Sequence, residues 1–309
     1  MGEKMKVFVT GVCGQLGYDT VNELNKRGFT AVGSDILSES ACACEYIQLD
    51  ITDKEAVEKA LTECKPDAVI HCAAWTAVDA AEDEENIEKV RKVNAVGTEN
   101  IALTCKALDI KMMYISTDYV FNGQGEEPWD PDCKDYAPLS VYGQTKLEGE
   151  LAVADNVDKH FIVRIAWVFG KNGNNFIKTM LNVGKKYDKL TVVCDQIGTP
   201  TYTYDLSRLL VDMIETDKYG YYHATNEGGY ISWYEFAKEI FAQAVACGHT
   251  EYSEDRLEVK PVTTEEYGVS KAARPFNSRL DKSKLVKNGF ESLPTWQDAL
   301  TRYLKEIEF

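Results

Sequence analysis

Tyr142 and Lys146 stand four residues apart in the segment Ser-Val-Tyr-Gly-Gln-Thr-Lys, a spacing that places both side chains on one face of a helix. A phenol alone is a poor acid or base near neutrality, because its reference pKa is about 10. An adjacent ammonium stabilises the phenolate, so Lys146 is expected to draw the Tyr142 pKa toward the working range and make it a proton-transfer group. Upstream, Ser116-Thr117-Asp118 closes an apolar run. Thr117 can offer a hydroxyl there to a carbonyl oxygen beside Tyr142; the plainer reading is a strand end that begins a turn.

A second set of residues suits a phosphate-bearing ligand. Gly11, Gly14 and Gly17 directly follow the first apolar run and open a helical pattern. In that context the first glycine permits a tight turn, the second lets backbone approach a pyrophosphate, and the third allows close packing of helix on strand. Asp35 ends the second apolar run, 18 residues past Gly17, where a carboxylate accepts hydrogen bonds from an adenosine ribose and repels a 2′-phosphate. NADH is therefore the expected cofactor, with NADPH left open. Asp50 and Ile51 follow the third run, where Asp50 either approaches the adenine or caps a helix. Ala73, Ala74 and Trp75 follow the fourth and border the cofactor.

These groups need a scaffold that brings strand ends together. Short β-branched runs at 6–10, 31–35, 46–48, 68–72, 111–116 and 160–166 alternate with amphipathic stretches at 18–27, 54–64, 86–107 and 138–154. That is the pattern of a doubly wound, parallel α/β sheet of Rossmann type. Further helices are expected at 176–185, 204–215 and 233–247, and strands at 190–194 and 220–225. The division is a dinucleotide-binding domain over 1–168, with roughly 200–225 crossing back to it, and a smaller substrate-binding lobe over 169–309. In that lobe, Trp167 at its threshold is expected to pack on a sugar ring. Arg274, stiffened by Pro275, can fork onto diphosphate oxygens, with Lys271 and Arg279 as alternative cations.

Composition excludes other classes. The 309 residues are 44% hydrophobic and 27% charged, with 34 Lys plus Arg against 50 Asp plus Glu, so the net charge of −16 repels nucleic acid and anionic lipid. No apolar run reaches the roughly 18 residues of a membrane span, and a cytoplasmic location is expected. Nine scattered cysteines without C-x-x-C pairing encode neither a disulfide framework nor a metal site. Met1-Gly2 matches a myristoylation signal at Gly2 alone, since position 6 is Lys.

With Thr-Gly-x-x-Gly-x-x-Gly and Tyr-x-x-x-Lys in place, the chain resembles the extended short-chain dehydrogenase/reductases. Within them it is similar to the reductases of dTDP-6-deoxy-4-keto-hexoses. The segments carrying that likeness include Thr76-Ala77-Val78-Asp79, Ser116 through Phe121, Gly173-Asn174-Asn175-Phe176, Asp195 through Pro200 and Arg274-Pro275-Phe276-Asn277-Ser278. The resemblance implies that Tyr142 gives the proton, Lys146 orients tyrosine and cofactor, and Thr117 completes a triad. It also implies that Gly14, Gln15, Leu16, Asp35, Asp50, Ile51 and Ala74 to Thr76 line the dinucleotide, while Val78, Asp79, Asp118 and Trp167 touch the dTDP-sugar. Trp75 departs from the family, which commonly has a smaller side chain or histidine there. Tyr119 stands where the related dehydratases carry a glutamate, which disfavours elimination. Two alternatives are another nucleotide-sugar epimerase or reductase, and a non-catalytic subunit like the regulatory β subunit of methionine adenosyltransferase. A homodimer is left open.

Overall fold

A computed structural model describes residues 4–309; the Gly2 motif lies outside the described residues. Strands β1 (Lys6–Thr10), β2 (Thr30–Asp35), β3 (Glu45–Gln48), β4 (Ala68–His71), β5 (Lys111–Thr117), β6 (His160–Ile165) and β7 (Gly220–His223) form a seven-stranded sheet. Its order is β7-β6-β5-β4-β1-β2-β3, and its neighbours are all parallel. The order reverses between β1 and β4, so the crevice for a ligand opens there, at the carboxyl ends of the strands.

Alternation along β1 shows how both faces are covered. Val7 and Val9 pack with Leu16, Val21 and Leu24 of α1 (Gln15–Lys26), while Phe8 points the other way, toward Val57 and Leu61 of α2 (Lys54–Cys64). That second face also receives α3 (Glu84–Arg91), α4 (Thr98–Leu108) and α5 (Val141–Asn156), and the first receives α7 (Thr203–Ile214). Beyond the sheet, α6 (Phe176–Gly184), α8 (Trp233–Ala246) and α9 (Trp296–Leu304) enclose a separate aromatic core around Phe236, Tyr202 and Tyr303. Beside them, Lys189–Val193 pairs in parallel with Glu258–Val262.

Two elements differ from the sequence pattern. The helix expected over 138–154 begins at Val141, because Ser140 adopts an extended backbone and its side chain accepts from the Gly143 N–H. The helix expected over 86–107 is broken by a π turn at Lys92–Gly97, which feeds the site described below.

Arg164 of β6 and Glu150 of α5 fix that helix on the sheet. Both are fully buried, and the guanidinium donates from Nε and Nη2 to the two carboxylate oxygens at 2.8 and 2.7 Å. Pro131 O and the Tyr136 hydroxyl take further donors. Removing one partner strands the other charge, so Glu150→Gln is expected to cost about 3–5 kcal/mol in urea unfolding. A loss below 1 kcal/mol would show that α5 is held by packing alone.

Candidate active site

The turn after β1 is shaped for close approach. Gly11 has φ +70°, and a Cβ there would lie 2.7 Å from Ala73 N; a Cβ on Gly17 would lie 2.2 Å from Gly11 O. Helix α1 follows Gly14 at its N-cap position, with no side-chain cap and no acidic residue in its first turn, whereas Asp53, Ser140 and Asn175 cap α2, α5 and α6. Its N–H groups are thus free to receive phosphate oxygens, and the residues fit a dinucleotide. Asn172, 159 residues later, fastens the turn by donating to Cys13 O at 2.8 Å. Asp35 accepts from Cys13 N at 3.0 Å. Asp50 borders the cleft and accepts from both donors of Thr52, while Asp53 is the cap of α2.

A directional chain of hydrogen bonds fixes the end of β4. Thr98 donates to Asn94 O at 2.7 Å, so its oxygen accepts from His71 Nε2 at 3.1 Å. His71 then carries its proton on Nε2, and Nδ1 accepts from Thr10 Oγ1 at 2.7 Å. The Thr10 oxygen in turn accepts from the N–H groups of Cys72 and Ala73. Burial and the nearby Lys146 charge push the His71 pKa down to about 3, which keeps this polarity at any working pH. Asn94, on the π turn, accepts from Trp75 N at 2.8 Å and donates to Trp75 O and the Thr145 hydroxyl. It ties the strand end to the helix bearing Tyr142.

Tyr142, Lys146 and Thr117 border one cleft of about 560 Å³ together with the glycine turn. The expected lowering of the Tyr142 pKa is not what the structure shows. Burial pushes the phenol up, reinforced by Asp118 and partly offset by hydrogen bonding to Thr117. Lys146 is turned elsewhere: Nζ donates to Ile115 O at 2.7 Å and lies 4.1 Å from the Tyr114 ring centroid. Burial lowers its own pKa to about 7. Without a ligand, Tyr142 is a phenol that holds its proton, the state a proton donor requires.

Trp167 borders the cleft with φ +51°, a strained region for a bulky residue, and stacks on Trp233 at 3.7 Å between ring centroids. The other expected sugar-nucleotide residues divide. Val78 and Asp118 border the cleft. Asp79 and Arg274 stand outside its lining and pair with each other at 2.6 Å; Arg274 also donates to the Tyr119 hydroxyl. Lys271 pairs with Asp83 and Arg279 with Asn277. Every expected cofactor residue borders the cleft except Trp75, whose indole N–H donates to Ala77 O.

Sequence reading missed Asn94, and it named Ser116 and Tyr119 without assigning either to the cleft lining. Tyr119 borders the cleft edge-on to Tyr142 at 5.4 Å, and Ser116 Oγ is buried there with no partner. Ser116 near the end of β5 and Tyr119 just past it stand beside Thr117 in sequence; nothing local flags Asn94, whose partners lie 19 and 51 residues away. All nine cysteines are free. Among the described residues no group of three His, Cys, Asp or Glu could hold a metal, and no helix is long and apolar enough to cross a membrane.

A dinucleotide turn and a Tyr-x-x-x-Lys helix opening on one cleft of a parallel sheet define the short-chain dehydrogenase/reductases. Within that class the chain belongs to the RmlD substrate binding domain family, whose model matches residues 5–309. It is 37% identical over 302 residues to the dTDP-4-dehydrorhamnose reductase of Aggregatibacter actinomycetemcomitans, covering 96% of this chain and 97% of that one. Identity to the spore coat polysaccharide biosynthesis protein SpsK of Bacillus subtilis is 35% over 301 residues, covering 97% of each. The crystal structure of dTDP-4-dehydrorhamnose reductase from Bacillus anthracis in complex with NADP matches with a TM-score of 0.87 at 39% identity, covering 98% of this chain and 100% of that one.

Lys146 generates a stability prediction. Its folded pKa of about 7 lies below the ordinary lysine value of 10.5, so its burial cost is complete below about pH 7 and fades as pH rises toward 10.5. Lys146→Met is expected to raise the urea midpoint of the ligand-free protein at pH 7, with the gain shrinking by pH 10. An equal or lower midpoint at pH 7 would contradict the burial cost.

Proposed function

We propose that the chain reduces the C4 ketone of dTDP-4-dehydro-L-rhamnose to give dTDP-L-rhamnose, using NAD(P)H. The observation that carries this reading is that the half-buried Tyr142 phenol shares one cleft with Thr117, Lys146 and the glycine turn. It stands in a chain matching a reductase of that name end to end. Bound NAD(P)H supplies the hydride. The protein's part is to hold the pyrophosphate at the α1 N-terminus, reach the nicotinamide ribose with Lys146, and deliver the Tyr142 proton to the oxygen that gains charge at C4. Tyr119 after Thr117-Asp118 provides no carboxylate base for elimination, which favours reduction over dehydration.

Cofactor preference rests on Asp35, whose carboxylate at the end of β2 repels a 2′-phosphate; we read NADH as preferred and NADPH as usable. The lobe over 169–309, apart from the 200–225 segment, is read as carrying the sugar nucleotide. Trp167 meets the pyranose, and Arg274 leaves Asp79 to meet the diphosphate. An arginine held by a carboxylate in the free protein keeps its fork oriented until a better anion arrives.

Three kinetic outcomes follow, measured as sugar-nucleotide-dependent NAD(P)H oxidation. Tyr142→Phe lowers kcat by about 10² or more with cofactor affinity nearly unchanged; near-normal turnover would remove Tyr142 as the acid. Asp35→Ala narrows the ratio of kcat/KM for NADH over NADPH, and a wild type that strongly prefers NADPH would contradict the assignment. Arg274→Lys raises KM for the dTDP-sugar while KM for NADH stays put, whereas an equal effect on both would take Arg274 out of the site.

A further inference from the structure

Just past the end of β6, Trp167 has a left-handed backbone, φ +51°, a conformation a bulky side chain keeps only where its surroundings impose it. One segment holds the backbone: Thr201 N donates to Trp167 O at 3.1 Å, the Thr201 hydroxyl donates to Ala166 O at 2.6 Å, and Thr201 pairs in parallel with Val168. Two further residues hold the ring. Trp233, the first residue of α8, stacks on the indole with centroids 3.7 Å apart and planes 15° from parallel, which covers one face. A Cβ added at Gly198 would lie 2.9 Å from Trp167 Cε2 and 3.1 Å from Cζ2, so the six-membered ring rests against bare backbone where no side chain fits.

One short ladder places both of these residues. Ile197–Gly198 pairs antiparallel with Ile231–Ser232, Gly198 opposite Ile231 and Ile197 opposite Ser232. Ser232 caps α8 and shares a capping box with Glu235, so the pairing that sets Gly198 also sets the helix start that carries Trp233. Phe176 of α6 packs on Trp233 in turn, with 4.6 Å between ring centroids. Trp167 borders the cleft, and neither Trp233 nor Gly198 belongs to its lining. We infer that Trp233 and Gly198 are positioning residues for the sugar end of the substrate: they fix the angle and depth at which the Trp167 indole enters the cleft, and with them the fit of the pyranose.

This role rests on the reading of Trp167 as the pyranose contact. A tryptophan free to turn about its side-chain torsions has to be ordered each time a sugar arrives, whereas an indole already stacked and walled carries no such cost. The gain therefore falls on binding. Tyr142, Thr117 and Lys146 belong to β5 and α5, elements that contain neither support, so the proton step draws on other contacts. A nucleotide that lacks the sugar offers the indole nothing to meet, and its affinity is independent of the two supports.

Full-length enzyme carrying 5-fluorotryptophan is compared as wild type, Trp233→Phe, Trp233→Ala and Gly198→Ala. Five tryptophans give five ¹⁹F resonances, and Trp167→Ala assigns the one that reports the indole. Trp233→Ala is expected to move and broaden that resonance and to raise KM for dTDP-4-dehydro-L-rhamnose about tenfold. Its kcat changes less, and Kd for dTDP alone and KM for NADH stay put. Trp233→Phe keeps an aromatic face and restores most of the loss. Gly198→Ala pushes on the same ring with Trp233 in place and is expected to move the resonance and raise KM in the same way; it carries the test if Trp233→Ala does not fold. A displaced resonance with KM unchanged, or a loss of dTDP affinity as large as the loss for the sugar, would overturn the role. Trp167→Ala with KM unchanged would instead strike the pyranose contact itself, whereas KM raised in Trp167→Ala and unchanged in the other variants strikes the two supports alone.

Discussion

The site depends on where one carboxylate is committed. Glu150 lies four residues after Lys146 on α5, the spacing at which a glutamate would ordinarily neutralise a lysine, yet both of its oxygens are bound by Arg164. Lys146 is left in the interior with a carbonyl oxygen and an aromatic face as its partners. Burial lowers its pKa to about 7, against the smaller raising effect of the Glu150 charge. The ion pair that clamps α5 to the sheet also leaves Lys146 without a hydrogen-bonded carboxylate.

Around that helix, position is set by polar groups with a defined sense of donation. The chain from Asn94 through Thr98, His71 and Thr10 to the Cys72 and Ala73 amides holds the floor of the cleft. A histidine pinned neutral by burial makes that order insensitive to acid. The π turn at Lys92–Gly97 presents the Asn94 carbonyl and side chain at once, a local irregularity of the kind found at functional sites. Trp167 adds a second, with a left-handed backbone kept in place by Trp233 and by Thr201 N donating to its carbonyl.

Much of the fold was legible because parallel strands buried on both faces read as short apolar runs, and β1 begins and ends where its pattern does. The glycine turn and the Tyr142–Lys146 spacing were legible for the same reason: the chemistry is local in sequence. Helix interruption by the π turn was not, since Val90, Val93, Ala95 and Ile101 continue an apolar pattern through it. The direction of the Tyr142 shift was misread because four-residue spacing fixes which face a side chain leaves from, not where a long amine ends. Pairing of Asp79 with Arg274 was equally hidden, each having been assigned to a ligand and not to the other across 195 positions. Ser278 appeared in a family segment, but its contact with Asp118 spans 160 positions and exists only in the folded chain.

The bare start of α1 carries a thermodynamic consequence. A helix whose first turn has neither a capping side chain nor an acidic residue is incomplete as a folding unit, and the groups that would finish it are the phosphates of a ligand. Since that ligand requires the turn, β1 and α1 together, it binds the native chain and not the unfolded one, and it stabilises the fold by RT ln(1 + [L]/Kd). Local opening of this helix start then depends on dinucleotide concentration: an end left uncapped when empty becomes progressively protected as the nucleotide pool rises.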